Sequence, residues 1–172
     1  MTPPTFARLP LHIRTLNAGG LNIPKHRTRL LWELSSSRTS VAMIQETHFK
    51  LGSEQALKDR RFPSVYFASH PLGKKAGVAI LFSQGTPFVV LDQKTDPEGR
   101  YLFVKGQINS QIYTFATIYA PISRHRIFIT KTLRLLANVS EGLLILGGDL
   151  NASLDPSMDT SRRRSAITYP CI

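Results

Sequence analysis

Short apolar runs, rich in β-branched and aromatic residues, recur along this chain, and nearly every one stops at a polar residue or a turn. Residues 11–16, 41–44, 65–68, 76–82, 88–91, 101–104, 112–119 and 142–146 follow this pattern. Val, Ile, Phe and Tyr suit a pleated, half-buried surface, while Gly, Pro, Asp and Asn supply the breaks. Two segments change period. After Pro24, an apolar stripe of Leu30, Leu31 and Leu34 predicts a helix, with Arg27, Arg29 and Glu33 facing elsewhere. Over 125–139, Phe128, Thr132, Leu135, Leu136 and Val139 fall on one side and Lys131 and Arg134 on another. The polar segment 53–60 reads as a helical turn. Runs 41–44 and 142–146 read as buried strands, which need cover on both faces. Such strands interspersed with helices imply an α/β layered domain.

The 172 residues suit one domain with a sizeable core. A hydrophobic fraction of 42% with 19% charged residues excludes a disordered chain, and the 11 Gly and 11 Pro show no collagen-like period. There are 22 Lys and Arg against 11 Asp and Glu, a formal net charge of +11. A surplus of that sign favours a polyanionic partner, nucleic acid ahead of an anionic membrane. Cys171 stands alone, so no internal disulfide can form. No apolar run is long enough to span a bilayer, and the N-terminus has no signal-peptide pattern. The expectation is a soluble, intracellular protein without a membrane partner.

Polar groups stand at the strand ends: Asn17, Glu46, Tyr119, and Asp149 with Asn151. Loops leaving one edge of a sheet can converge into a site. Two carboxylates, two amides and a phenol suit phosphodiester cleavage, in which charge on phosphoryl oxygens must be neutralised and a water aimed in line. Mg²⁺ takes oxygen ligands, typically one or two carboxylates completed by water and substrate phosphate. Each residue also has a plainer reading. Gly-Asp-Leu-Asn is a common turn, Gln45-Glu46-Thr47 a solvated strand end, Tyr119-Ala-Pro a strand stopped by proline, and Asn17 a turn residue before two glycines.

Read in order, five segments resemble the successive motifs of the endonuclease/exonuclease/phosphatase family. They are Thr15-Leu-Asn-Ala-Gly-Gly-Leu, Ile44-Gln-Glu-Thr-His, Ala76-Gly-Val-Ala-Ile-Leu, Ile118-Tyr-Ala-Pro and Leu146-Gly-Gly-Asp-Leu-Asn. Asp96-Pro-Glu-Gly-Arg-Tyr, followed by Val104-Lys-Gly, is similar more narrowly to the apurinic-type endonuclease domain of LINE-1-like retrotransposons. The resemblance implies a DNase I-like four-layer sandwich, two mixed β-sheets flanked by helices. It implies that Glu46 ligates Mg²⁺, with Mn²⁺ as the alternative ion, and that Asn17 sits beside it contacting metal-bound water or phosphate. Tyr119 would hydrogen-bond the scissile phosphate, Asp149 would orient or activate the water, and Asn151 would stabilise the transition state. Asp149 and Asn151 belong to the implied metal site as well.

The family's C-terminal Ser-Asp-His type segment has no counterpart after Asn151; the five histidines all precede that residue. The expectation is a fold incomplete at its C-terminus: residues 1–10 as an extension, 11–159 as a partial endonuclease/exonuclease/phosphatase domain and 160–172 as a tail. His48 is expected to line a loop. Lys74, Lys75, Arg100 and Arg124, with Arg126 and the run 162–164, are candidates for DNA backbone contact. The implied function is Mg²⁺-dependent nicking of DNA by a retrotransposon-type endonuclease. The alternatives are a DNA-repair nuclease of the apurinic endonuclease or exonuclease III kind, and a non-catalytic nucleic-acid-binding remnant. Nuclear residence and a reverse transcriptase region in a longer parent follow from the same resemblance.

Overall fold

The computed structural model describes residues 10–152. The expected tail, the arginine run 162–164 and Cys171 lie outside the described residues. Strand β1 (Ile13–Asn17) leads into helix α1 (Pro24–Ser36) and strand β2 (Val41–Gln45). A 3-10 turn at Glu54–Leu57 precedes β3 (Ser64–Ala68) and β4 (Val78–Phe82). Then come β5 (Phe88–Thr95), β6 (Tyr101–Ile108), β7 (Gln111–Tyr119), helix α2 (His125–Val139) and β8 (Leu143–Asp149).

The strands form two sheets, ordered β1-β2-β4-β3 and β5-β6-β7-β8. Each sheet is mixed for the same reason. A hairpin can join only antiparallel neighbours, so parallel neighbours need a crossover, and a helix supplies it twice. β1 runs parallel to β2 through α1, and β7 parallel to β8 through α2; the other pairings are antiparallel.

Four layers result, with three apolar seams. Leu30, Leu31 and Leu34 of α1 pack on Ala42, Ile44, Ala79 and Leu81. Between the sheets lie Val41, Met43, Val78, Ile80 and Phe82 from one side and Leu102, Val104 and Phe115 from the other. Phe82 stacks on Phe88 at 3.9 Å between ring centroids, and Phe115 meets Phe82 edge-on at 5.2 Å. Phe103, Ala116 and Ile118 face Leu136 of α2. β2 and β4 are buried at every position because both of their faces are covered.

One expectation is corrected. The run 142–146 reads in the sequence as a strand buried on both faces, but among the described residues β8 is the edge of its sheet, with Leu143, Leu144 and Leu146 each roughly half exposed. An apolar run reveals hydrophobicity, not what covers it, and α2 packs over β6 and β7 instead. β5, the opposite edge, runs longer than its apolar stretch because 92–95 is polar and still pairs with β6. Among the described residues, no helix is long and apolar enough to cross a membrane.

Candidate active site

The faces that the two sheets turn toward each other change character along the strands. Side chains alternate with period two, so β1 presents Ile13, Thr15 and Asn17 inward, and β7 presents Phe115, Thr117 and Tyr119. β2 presents Val41, Met43 and Gln45, and β8 presents Ile145, Gly147 and Asp149. The seam is apolar in its middle and polar where these four strands end. Parallel neighbours finish at the same edge: Asn17 pairs in register with Gln45, and Tyr119 with Asp149. Each crossover unit therefore delivers its polar residues to one end of the seam.

There Asn17 Nδ2 donates to Asp149 Oδ2 at 3.0 Å, joining the two sheets. Asn17 Oδ1 accepts from Gly19 N at 3.0 Å, which fixes the orientation of the amide. Asp149 Oδ1 accepts from Asn151 N at 3.0 Å, closing an Asx turn that holds Asn151 at φ 46°. Asn151 Nδ2 donates to Ala120 O at 2.7 Å, and Ala120 N donates to Asp149 O at 2.8 Å. The segments after β7 and β8 are thus tied together.

Glu46 follows β2 in a left-handed conformation, φ 55°, which an L residue adopts only when its surroundings impose it. Backbone bonds on both sides do so. Gly20 N donates to Glu46 O and Leu21 N to Thr47 O, while Thr47 N donates to Gly77 O and His48 N to Ala76 O. Gly77 itself has φ +90°, and a Cβ there would collide with Thr47 Oγ1. His48 is left-handed too and sets its Nε2 3.5 Å from Glu46 Oε2.

Tyr119 stands near both carboxylates. Its hydroxyl is in hydrogen-bonding reach of Glu46 and Asn151. Burial, then the hydrogen bond to Glu46 and the negative charges of Glu46 and Asp149, push the phenol up from its ordinary 10 to about 12. The phenol therefore stays protonated at neutral pH and can donate.

A cleft lined by Thr15, Leu16, Asn17, Gln45, Asp149 and Asn151, about 450 Å³ in volume, opens at this end of the seam. Among the described residues, no group of three His, Cys, Asp or Glu gathers as a protein-only metal cage. The donor set is oxygen-rich, with two carboxylates and two amides, and each Asp149 oxygen retains lone-pair capacity beyond its one accepted bond. That set fits a hard divalent ion that keeps water and substrate oxygens in its shell.

All five polar residues singled out in the sequence meet here. His48 joins them beside Glu46. Gln45, read only as a strand end, is buried under the site and bonded across the seam. Lys74 and Lys75 are exposed on a loop whose Lys74 N donates to His48 O at 3.1 Å, on the rim next to Glu46. Arg124 is exposed at the N-terminus of α2, on the loop leaving Tyr119. Arg100 differs: its Nε donates to Asp96 Oδ2 at 2.8 Å, its Nη1 lies 3.2 Å from Glu98 Oε2, and its guanidinium sits over the Phe128 ring at 4.8 Å. That guanidinium holds a turn and the α2 layer together.

No family model matches the sequence. The transposon TX1 uncharacterized 149 kDa protein of Xenopus laevis is 30% identical over 150 residues, which is 86% of this chain and 11% of that protein. Solved structures share the fold at lower identity. The Xenopus laevis APE2 catalytic domain superposes with a TM-score of 0.63 at 18% identity, covering 84% of this chain and 59% of that one. The endonuclease domain of TRAS1, a telomere-specific non-LTR retrotransposon, gives 0.60 at 15% identity, over 84% and 60%. D. rerio TDP2 complexed with a single-strand DNA product gives 0.65 at 18% identity, over 85% and 62%. The chain thus spans about a tenth of its curated relative and under two thirds of these solved neighbours. The two-sheet, helix-flanked architecture is that of these DNase I-like domains.

Proposed function

We propose that this chain, which has the fold of an endonuclease/exonuclease/phosphatase-type retrotransposon endonuclease domain, is a divalent-metal-dependent hydrolase that nicks DNA. One observation carries the reading: Asn17, Glu46, Tyr119, Asp149 and Asn151 come from two sheets and form one connected polar cluster at the end of their seam.

Hydrolysis forms a bond from a water oxygen to phosphorus and breaks the bond from phosphorus to the leaving sugar oxygen. Mg²⁺, or Mn²⁺ in its place, would be held by Glu46 with Asn17, Asp149 and Asn151 around it, and would supply neutralising charge for the phosphoryl oxygens. The chain's own groups do the rest. Asp149 is fixed by two donors, so it orients the attacking water and accepts its proton. Tyr119, protonated, donates to a non-bridging phosphate oxygen. Asn151, pinned beside Tyr119, donates where charge builds up in the transition state. Exposed Lys74, Lys75 and Arg124 on flanking loops suit backbone phosphates. The TX1 relative, a transposon protein of which the chain covers 11%, supports a place in a longer parent polypeptide; a neighbouring reverse transcriptase region and nuclear DNA as substrate are further parts of this proposal.

The test is incubation of the purified chain with supercoiled plasmid, in Mg²⁺ and in chelator, alongside Asp149→Ala and Glu46→Ala. The expected result is metal-dependent open-circle product that both substitutions reduce by about 10²-fold or more. Equal background in every sample removes the catalytic reading. The fold shared with the APE2 catalytic domain makes a duplex with one abasic site the informative second substrate; preferential cleavage at that site would assign a repair-type specificity instead.

A further inference from the structure

One layer below the polar cluster, the four strands that carry it are joined at a single point. Gln45 is 1% exposed, and its Nε2 lies 2.8 Å from Thr117 Oγ1 on the opposite sheet. It also lies 3.1 Å from Thr15 Oγ1 and 3.1 Å from Met43 O. A primary amide has two protons for these three acceptors, and Thr15 Oγ1 also lies 3.5 Å from Gln45 Oε1, to which its hydroxyl can donate. Gly147 completes the ring: a Cβ there would come 3.1 Å from Thr15 Cβ and 2.7 Å from Met43 Cε, so the β8 backbone lies directly against β1 and β2.

The sequence offsets are regular. Thr15 stands two residues before Asn17, Gln45 one before Glu46, Thr117 two before Tyr119 and Gly147 two before Asp149. Every strand that contributes to the site is gripped within one strand repeat of its contribution. Below this node, away from the Asn17–Asp149 bond, the seam is closed by apolar contact, which is non-directional and tolerates sliding. A buried, nearly saturated hydrogen-bond node does not tolerate it.

We propose that Gln45, through Thr117, is a positioning residue that sets the spacing and register of the two sheets under the site. This rests on the nuclease reading above for its kinetic consequence but not for its structural one. Gln45 lies at the floor of the cleft but is 1% exposed, with its amide turned to Thr117, Thr15 and Met43 O. Its effect reaches Glu46 through the chain and Tyr119 through Thr117.

The decisive variant is the pair Gln45→Leu with Thr117→Val in the full chain. Removing both ends leaves neither member of the cross-sheet pair stranded, although Thr15 and Met43 O lose the amide, so thermal stability should fall less in the pair than in Gln45→Leu or Thr117→Val alone. The expected result is kcat lowered about tenfold or more with KM unchanged, because alignment at the site is lost while DNA binding is kept. Each single substitution should lower kcat as far as the pair does, and Thr117→Ser, which keeps the hydroxyl, should retain it. An independent readout is amide exchange. Ala18, Gly20 and Ala120, whose N–H groups close the loops around the site, should exchange about tenfold faster in the pair variant, with β6 amides unchanged.

If the parent chain does not cleave in Mg²⁺, the nuclease reading fails and the exchange pattern alone judges the node. Unchanged exchange at those three amides, or uniform acceleration across both sheets, overturns the proposal. So does a pair variant with parental kcat.

Discussion

Asn17 and Asp149 stand 132 residues apart in the chain, yet the amide of one donates to the carboxylate of the other at 3.0 Å across the gap between two sheets. The same amide's oxygen is held by Gly19 N, so it meets the carboxylate with its donor. Asn17→Ala removes one donor and should lower kcat for plasmid nicking by about 10–100-fold. Asn17→Asp sets two carboxylates against each other. In chelator it should lower stability by about 1 kcal/mol relative to Asn17→Ala, read by thermal denaturation. Equal melting of the two variants would show that the pair does not touch in solution.

Tyr119 should titrate late. Its folded-state value is raised to about 12 from 10, by burial first and the Glu46 hydrogen bond second. A raised value means that its stabilising contribution is full below 10 and is lost as pH rises through about 12. In chelator, the ultraviolet difference titration between the parent and Tyr119→Phe should show one phenol ionising near 12. No alkaline loss of nicking below about pH 10 should trace to this group. A phenol ionising near its ordinary value would mean that Tyr119 is neither buried nor held by Glu46 in solution.

Two glycines near the site should respond very differently to alanine. Gly19 has φ +56° and nothing within 4 Å of an added Cβ, so Gly19→Ala should cost about 1 kcal/mol for backbone strain alone. Gly77 has φ +90°, and its Cβ would meet Thr47 Oγ1 and, at 3.3 Å, His48 N. Gly77→Ala should cost about 2–4 kcal/mol and displace the segment holding Glu46. Urea midpoints measure the first effect; metal-dependent nicking per folded molecule measures the second.

The basic residues should separate by role. Lys74→Ala with Lys75→Ala should weaken DNA binding and reduce the slope of log affinity against log salt by about 0.9 for each phosphate that is no longer neutralised. Arg124→Ala should behave in the same way. Arg100→Ala should leave the salt slope unchanged and lower stability, since it leaves the buried Asp96 carboxylate with only the backbone N–H of residue 100 and uncovers Phe128. Fluorescence anisotropy over a salt series distinguishes the two classes.

Much of this is legible in the chain. The Leu30, Leu31 and Leu34 stripe marks the face of α1 that is buried, and the strand runs lie within a few residues of the strands formed. The five polar strand ends are visible because turn-forming residues punctuate apolar runs. Sequence order does not say that two separate crossover units point their ends into one seam; sheet pairing decides that. Two readings err for related reasons. The leucines of 142–146 are apolar whether or not a helix covers them, and β8 is an edge. Gln45 reads as a solvated strand end because glutamine usually is solvated, whereas here its acceptors arrive from strands before and after it in the chain. Arg100 reads as a free cation until the turn bringing Asp96 and Glu98 to it is known.

The split of the site between sheets makes the chemistry an all-or-none property of the whole domain. Asn17 and Glu46 belong to the N-terminal sheet, and Tyr119, Asp149 and Asn151 to the other, so neither half carries a complete site. A cut in the 83–87 connection between β4 and β5 would yield two fragments, each holding one carboxylate, and cleavage would return only on reassembly. Catalysis by this chain would then report directly on whether its halves have docked.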